Sequence, residues 1–169
     1  MREAKFEPLG PIHKGRKRIQ PPREDLKDFY ARANPLLKHK AVWFGSPERN
    51  ALGAAIGAVA NRFGYVVWAC AVLTNHLHVV MLAHRDDATT AWDAIAGATR
   101  EATLTFPGVE ADHPVWSDRR EKIFLYSDAD AWRSVWYVEA NPSEANLPLQ
   151  QWTFVQRYDG WPMRRRQGG

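Results

Sequence analysis

The stretch YVVWACAVLTNHLHVVMLA, residues 65–83, decides the fold. Residues 65–73 are apolar almost throughout, which marks a strand buried on both faces. Thr74-Asn75 supplies turn residues, and residues 76–83 read as a second strand. A link this short joins the two strands antiparallel, as a hairpin.

Working outward, residues 39–44 read as a strand. Ser46-Pro47-Glu48 then looks like a helix start, with Ser46 as N-cap and Pro47 in first position. Leu52, Ala55, Ile56, Val59 and Phe63 recur at helical spacing, and Gly64 is a natural stop. Downstream, Asp86-Asp87 opens a helix whose apolar face is Ala91, Ile95, Ala98 and Ala102. Phe106-Pro107-Gly108 breaks it. KIFLY, residues 122–126, is a fourth strand candidate. Ser127 and Asp130 form a capping box for a helix over residues 128–140, which Pro142 should end or kink. The order β-α-β-β-α-β-α predicts an α+β protein. Its first six elements make a ferredoxin-like antiparallel sheet with helices on one face. A C-terminal helix carrying Tyr137 is added to it.

The chain has 169 residues, 45% hydrophobic and 25% charged, as in an ordinary globular protein. That excludes collagen-like and wholly disordered classes. No apolar run is long enough to span a bilayer, and the first residues hold no signal-peptide h-region. Cys70 is the only cysteine, so there is no internal disulfide and no multi-cysteine zinc site. This pattern fits a reducing cytoplasm. The formal net charge is +4, unevenly spread. Residues 1–40 hold 11 Lys/Arg against 5 Asp/Glu, residues 41–145 hold 8 against 13, and residues 146–169 hold 4 against 1. The positive charge therefore sits in a basic N-terminal extension, partly disordered, over residues 1–40 and a basic tail over residues 148–169. A short helix is readable within the extension, over residues 23–33. The body between the two ends is acidic.

Two groups of residues invite chemistry. His76 and His78 alternate on a strand, so they share a face with Cα atoms about 6.5–7 Å apart. Two imidazoles so placed suit one divalent ion, and they equally suit a half-exposed sheet face. Tyr137 and Asn141 are one helical turn apart. A phenol beside a cation is a nucleophile, since the cation favours the phenolate. The alternative is that Trp132, Trp136 and Tyr137 form a packing stripe. Asn141 precedes Pro142, which bends the alignment away from an ideal helix.

Taken together, these blocks resemble the single-tyrosine HUH transposases, particularly the REP-associated tyrosine transposases. The resemblance runs over residues 41–147. It rests on TNHLHVVML, similar to the family's Met-Pro-Asn-His-hydrophobic-His. It rests also on HPVWSDRREKIFLY, similar to a Trp-x-x-Arg-Tyr segment, and on YVEANPSEANL, similar to Tyr-(Ile/Val)-x-x-Asn-Pro-x-x-Ala-x-Leu. Leu73-Thr74 stands where the family has Met-Pro. The resemblance implies an enzyme that cleaves and rejoins single-stranded DNA through a 5′-phosphotyrosine intermediate. Tyr137 matches the nucleophile. His76, His78 and Asn141 match the ligands of Mg²⁺ or Mn²⁺. Histidine is unusual at Mg²⁺, which prefers oxygen.

Lys/Arg neutralise phosphates, so DNA contacts are expected from Lys14, Arg16, Lys17 and Arg18 at one end and Arg164, Arg165 and Arg166 at the other. Within the body, Arg119, Arg120 and Lys122 form the one basic cluster. Two other classes compete. One is a non-catalytic module that binds a DNA hairpin or repeat, and the other is an HUH nickase for replication or plasmid transfer. The expected partner is single-stranded or hairpin DNA, with a homodimer allowed and no membrane.

Overall fold

The computed structural model describes residue 28 and residues 31–117 and 121–160. The chain divides into two compact units, Met1–Ala41 and Val42–Gly169. In the first, residues 31–33 are helical and a 3-10 turn follows at Asn34–Leu36. Most of the helix expected over residues 23–33 lies outside the described residues.

The second unit is α+β. Its described elements are α1 (Ser46–Phe63), β1 (Val67–Val72), β2 (Leu77–Met81), α2 (Ala88–Thr103) and α3 (Asp128–Glu144). The two strands form an antiparallel pair, with Cys70 opposite Val79 and Ala71 opposite His78. All six residues of β1 are buried, as its unbroken apolar run predicts. Helices cover both faces. Val67, Cys70 and Val72 join Leu52 and Ile56 of α1 and Ile95 of α2 in one cluster. Ala69, Ala71 and Val80 meet Ala131, Val135 and Val138 of α3 in the other. A bulge between Val67 and Ala69 interrupts the alternation, so Trp68 and Ala69 both face α3. A two-stranded ribbon is marginal in water; here a helix layer on each side supplies its burial.

The helix ends follow local chemistry with small shifts. Gly45, not Ser46, is the N-cap of α1, and Pro47 sits one residue further in. Gly64 closes α1 at φ 75°, donating its N–H to the Ala60 carbonyl. Asp87 caps α2 by accepting from the N–H groups of Thr89 and Thr90. Ser127 caps α3 by accepting from the Asp130 N–H. Proline does not end α3 at residue 140. Pro142 lies within its last turn, and the helix runs to Glu144. A missing N–H there costs one bond of a helix that is already ending.

The two outer strands are not formed. Residues 39–44 have no regular structure. Phe44 donates its N–H to the Thr74 carbonyl at 2.6 Å, a single rung where a strand needs several. Its ring is buried against Phe106 and Trp116 instead. Residues 122–126 are likewise irregular. Leu125 packs inward while Ile123, Phe124 and Tyr126 stay exposed. Among the described residues, that segment has no backbone partner on β2. Strand propensity without a paired neighbour does not make a strand.

The outer edge of β1 is closed from an unexpected quarter. Gln150 accepts from the Val72 N–H at 2.9 Å and donates to the Val72 carbonyl at 2.7 Å. Trp152 Nε1 donates to the Cys70 carbonyl, and the Gln156 N–H donates to the Val67 carbonyl. The folded body thus extends past residue 147 into the segment that the charge pattern assigns to a tail. Gln150→Ala should cost about 1–3 kcal/mol, because it strips both backbone partners from Val72. Urea denaturation at unchanged slope measures it. Among the described residues no helix is long and apolar enough to cross a membrane.

Candidate functional site

β2 and α3 bring the chemical residues together. His78 lies on β2 with Val80, on the face that α3 covers. His76 immediately precedes the strand. The two imidazole centroids are 5.1 Å apart, nearly perpendicular. The Tyr137 ring stands 5.8 Å from His78, edge to face. Three residues predicted to act together therefore form a chain of ring contacts: His76, His78, Tyr137.

The tautomer of His76 follows from its neighbour. Its Nδ1 lies 2.8 Å from Asn75 Oδ1. A carbonyl oxygen only accepts, so this contact favours the tautomer with the hydrogen on Nδ1 and the lone pair on Nε2. Crowding lowers the pKa of both histidines below the usual value. For His76 the cause is burial, even though its surface remains open at the rim. For His78 burial leads, the charge of His76 adds to it, and Glu121 opposes it. Both rings are thus neutral near pH 7, the form that ligates metal.

A pH dependence follows. In the unfolded chain both imidazoles protonate near 6.5, and in the folded protein only at lower pH. The unfolded state therefore binds more protons in this window, and stability falls as pH drops below about 6.5. NMR titration of the metal-free protein should give both midpoints below that value. His78→Gln should flatten the acid limb of the stability profile.

Asn141 is 8% exposed and lies within α3, so the helical alignment with Tyr137 holds. Its Nδ2 donates to the Tyr137 carbonyl at 2.8 Å, and its Oδ1 has no hydrogen-bond partner among the described residues. It makes no hydrogen bond to either histidine. The donor set of two neutral imidazoles and one amide oxygen fits a divalent ion of borderline hardness better than bare Mg²⁺.

Beside Tyr137, residues 123–126 and Asp130, Arg133 and Ser134 of α3 line an open groove of about 340 Å³. Phe124 (64% exposed), Tyr126 (83%) and Trp136 (68%) leave large aromatic surfaces in water. Of the three aromatics read as a packing stripe, the Trp132 ring meets Tyr158 at 5.0 Å and the Tyr137 ring meets His78, while Trp136 stays exposed. Lys122 donates to Thr89 Oγ1 at 2.6 Å, tying the segment to the start of α2. Lys14, Arg16, Lys17, Arg18, Arg119, Arg120, Arg164, Arg165 and Arg166 lie outside the described residues.

Asn75 and Glu121 carry roles that the sequence reading missed. Asn75 reads as a turn residue, yet it also favours one tautomer of His76. Glu121 follows the basic pair at 119–120 and was masked by it; its charge opposes the lowering of the His78 pKa. In comparisons with family models, curated proteins and solved structures, nothing matches this chain.

Proposed function

We propose that this chain is a metal-dependent single-strand DNA transesterase, a transposase of the HUH type or a domesticated relative of one. The observation that carries the reading is the run of ring contacts from His76 through His78 to Tyr137. It joins a candidate ligand pair to a candidate nucleophile across two elements that are remote in sequence.

In this reading Tyr137 Oη attacks the phosphorus of the scissile phosphodiester. The P–O3′ bond breaks, the 3′ oxygen leaves and takes up a proton, and a 5′-phosphotyrosine remains. The phenol proton passes to solvent. The intermediate conserves the phosphodiester energy, so a 3′-hydroxyl can reverse the step without ATP. Mg²⁺ or Mn²⁺, held by His76, His78 and Asn141, would polarise the phosphoryl oxygen and offset developing charge. Asn75 keeps the His76 ring in its ligating tautomer. Phe124, Tyr126 and Trp136 would stack unpaired bases.

The ferredoxin-like arrangement belongs to this proposal as its central hairpin and helices, since the two outer strands are not formed. Helix, hairpin, helix and tyrosine helix follow in that order, with α1 and α2 on one face of the sheet and α3 on the other. The cytoplasmic setting and the DNA partner belong to it too.

The test is direct. Full-length protein is incubated with Mn²⁺ and 5′- and 3′-labelled DNA carrying a hairpin and single-stranded flanks. The expected product is a covalent adduct that retains the 3′ label and releases a strand ending in a 3′-hydroxyl. Tight hairpin binding without an adduct would favour the non-catalytic module. Adducts on linear origin-like strands alone would favour a nickase.

A further inference from the structure

Arg49 plays no part in that site, yet it is a buried charge. It lies in the first turns of α1 and is 9% exposed. One nitrogen, Nη1, donates to the Phe44 carbonyl at 2.8 Å. No carboxylate pairs with it among the described residues. A guanidinium cannot shed its proton, and a buried charge is unfavourable unless paired.

Its remaining nitrogens are not sealed off. The residue lines a pocket of about 320 Å³ between α1 and residues 148–152. Ser46 and Asn50 of α1 line it as well, with Gln151 and Trp152 opposite. The amino end of α1 has no side-chain cap. Pro47 has no N–H and Arg49 donates its own to the Gly45 carbonyl, so the N–H groups of Ser46 and Glu48 are the ones left without a side-chain partner among the described residues. The carboxylate of Glu48 lies against Gly45 and does not line the pocket. The cavity thus combines a fixed positive charge, a helix amino terminus, a hydroxyl and amides, with no acid on its walls among the described residues.

We propose that this pocket binds a phosphate group, with Arg49 as its charge partner and Ser46 and Asn50 as hydrogen-bond donors. Phosphate suits a forked guanidinium and a helix N-terminus. The volume exceeds one phosphate, and Trp152 and Leu149 on the wall give apolar surface for the organic part of an ester. The group comes either from a nucleic-acid strand or from a free phosphate ester. The site does not depend on DNA cleavage, and either proposal survives the failure of the other.

The experiment titrates full-length protein with inorganic phosphate against chloride at matched ionic strength, following thermal midpoint and ³¹P line width. A saturable response is expected. Arg49→Gln should weaken it roughly tenfold or more. Asn50→Asp, at an exposed position, brings a carboxylate to the pocket and should weaken it similarly, which keeps the test readable if Arg49→Gln fails to fold. Displacement of phosphate by an oligonucleotide assigns the group to a strand. Displacement by a nucleoside monophosphate but not by an unphosphorylated oligonucleotide assigns it to a free ester. No saturable response, or a response unchanged in Asn50→Asp, overturns the proposal.

Discussion

Tyr137→Phe should abolish the covalent DNA adduct and leave the fold unchanged. The adduct requires an oxygen nucleophile, and phenylalanine has none, so the expected loss is by a factor of at least about 10,000. The ring contact with His78 survives because it uses the ring alone. Tyr137 is 51% exposed and its hydroxyl makes no hydrogen bond among the described residues. Removing that hydroxyl should therefore change stability by less than about 0.5 kcal/mol. DNA affinity should hold as well, since stacking needs only the ring face. Gel analysis after denaturation, with binding and melting measured in parallel, separates these effects. An adduct that persists in Tyr137→Phe would refute the nucleophile assignment. Tyr126, 83% exposed in the adjoining groove, would then be the next candidate.

Gly53→Val should have the largest effect on stability, a loss of about 3 kcal/mol. Gly53 is buried in α1, and a β-carbon there would overlap three ring atoms of Trp152. Gly57 holds the same relation to Phe154, at 2.6 Å. The two glycines form a flat track on which stacked Trp152 and Phe154 lie. The Trp152 ring cannot retreat freely, because its Nε1 holds the Cys70 carbonyl at 3.0 Å. Valine therefore adds steric strain, typically 1–3 kcal/mol, and loosens a bond worth roughly 1 kcal/mol. Gly97 of α2 is the control. It is exposed with nothing near its would-be β-carbon, so Gly97→Ala should stabilise the protein by about 0.5–1 kcal/mol. Equilibrium denaturation of both variants decides the matter. A Gly53→Val protein as stable as the parent would mean that Trp152 does not rest there.

Elements coded by nearby residues were legible in the sequence. Leu52, Ile56 and Val59 repeat at helical spacing, and Gly64, Asp87 and Ser127 mark ends by local hydrogen bonding. The hairpin around Thr74-Asn75 was equally plain, and so was the closeness of His76 and His78, whose ring centroids lie 5.1 Å apart although His76 stands just before the strand. What failed depends on remote partners. Residues 39–44 and 122–126 have strand composition, but composition does not create a neighbouring edge. Pro142 reads as a stop or a kink because proline opposes helix interiors, yet near a terminus the penalty is small and the helix runs on to Glu144. The aromatic spacing of Trp152, Phe154 and Tyr158 signals a packed segment, and the basic residues around it obscured that signal.

The closure of β1 by Gln150 and Trp152 has a consequence for biosynthesis. Those partners lie 78 and 82 residues downstream of the strand positions they satisfy. At roughly 5–20 residues per second of translation, the ribosome needs several seconds to make them. Throughout that interval β1 is made and its outer edge is open, the condition under which nascent strands pair with the wrong chain. A trigger-factor-type holdase, or slowed initiation on a polysome, should raise the yield of folded protein more than any change within the hairpin itself.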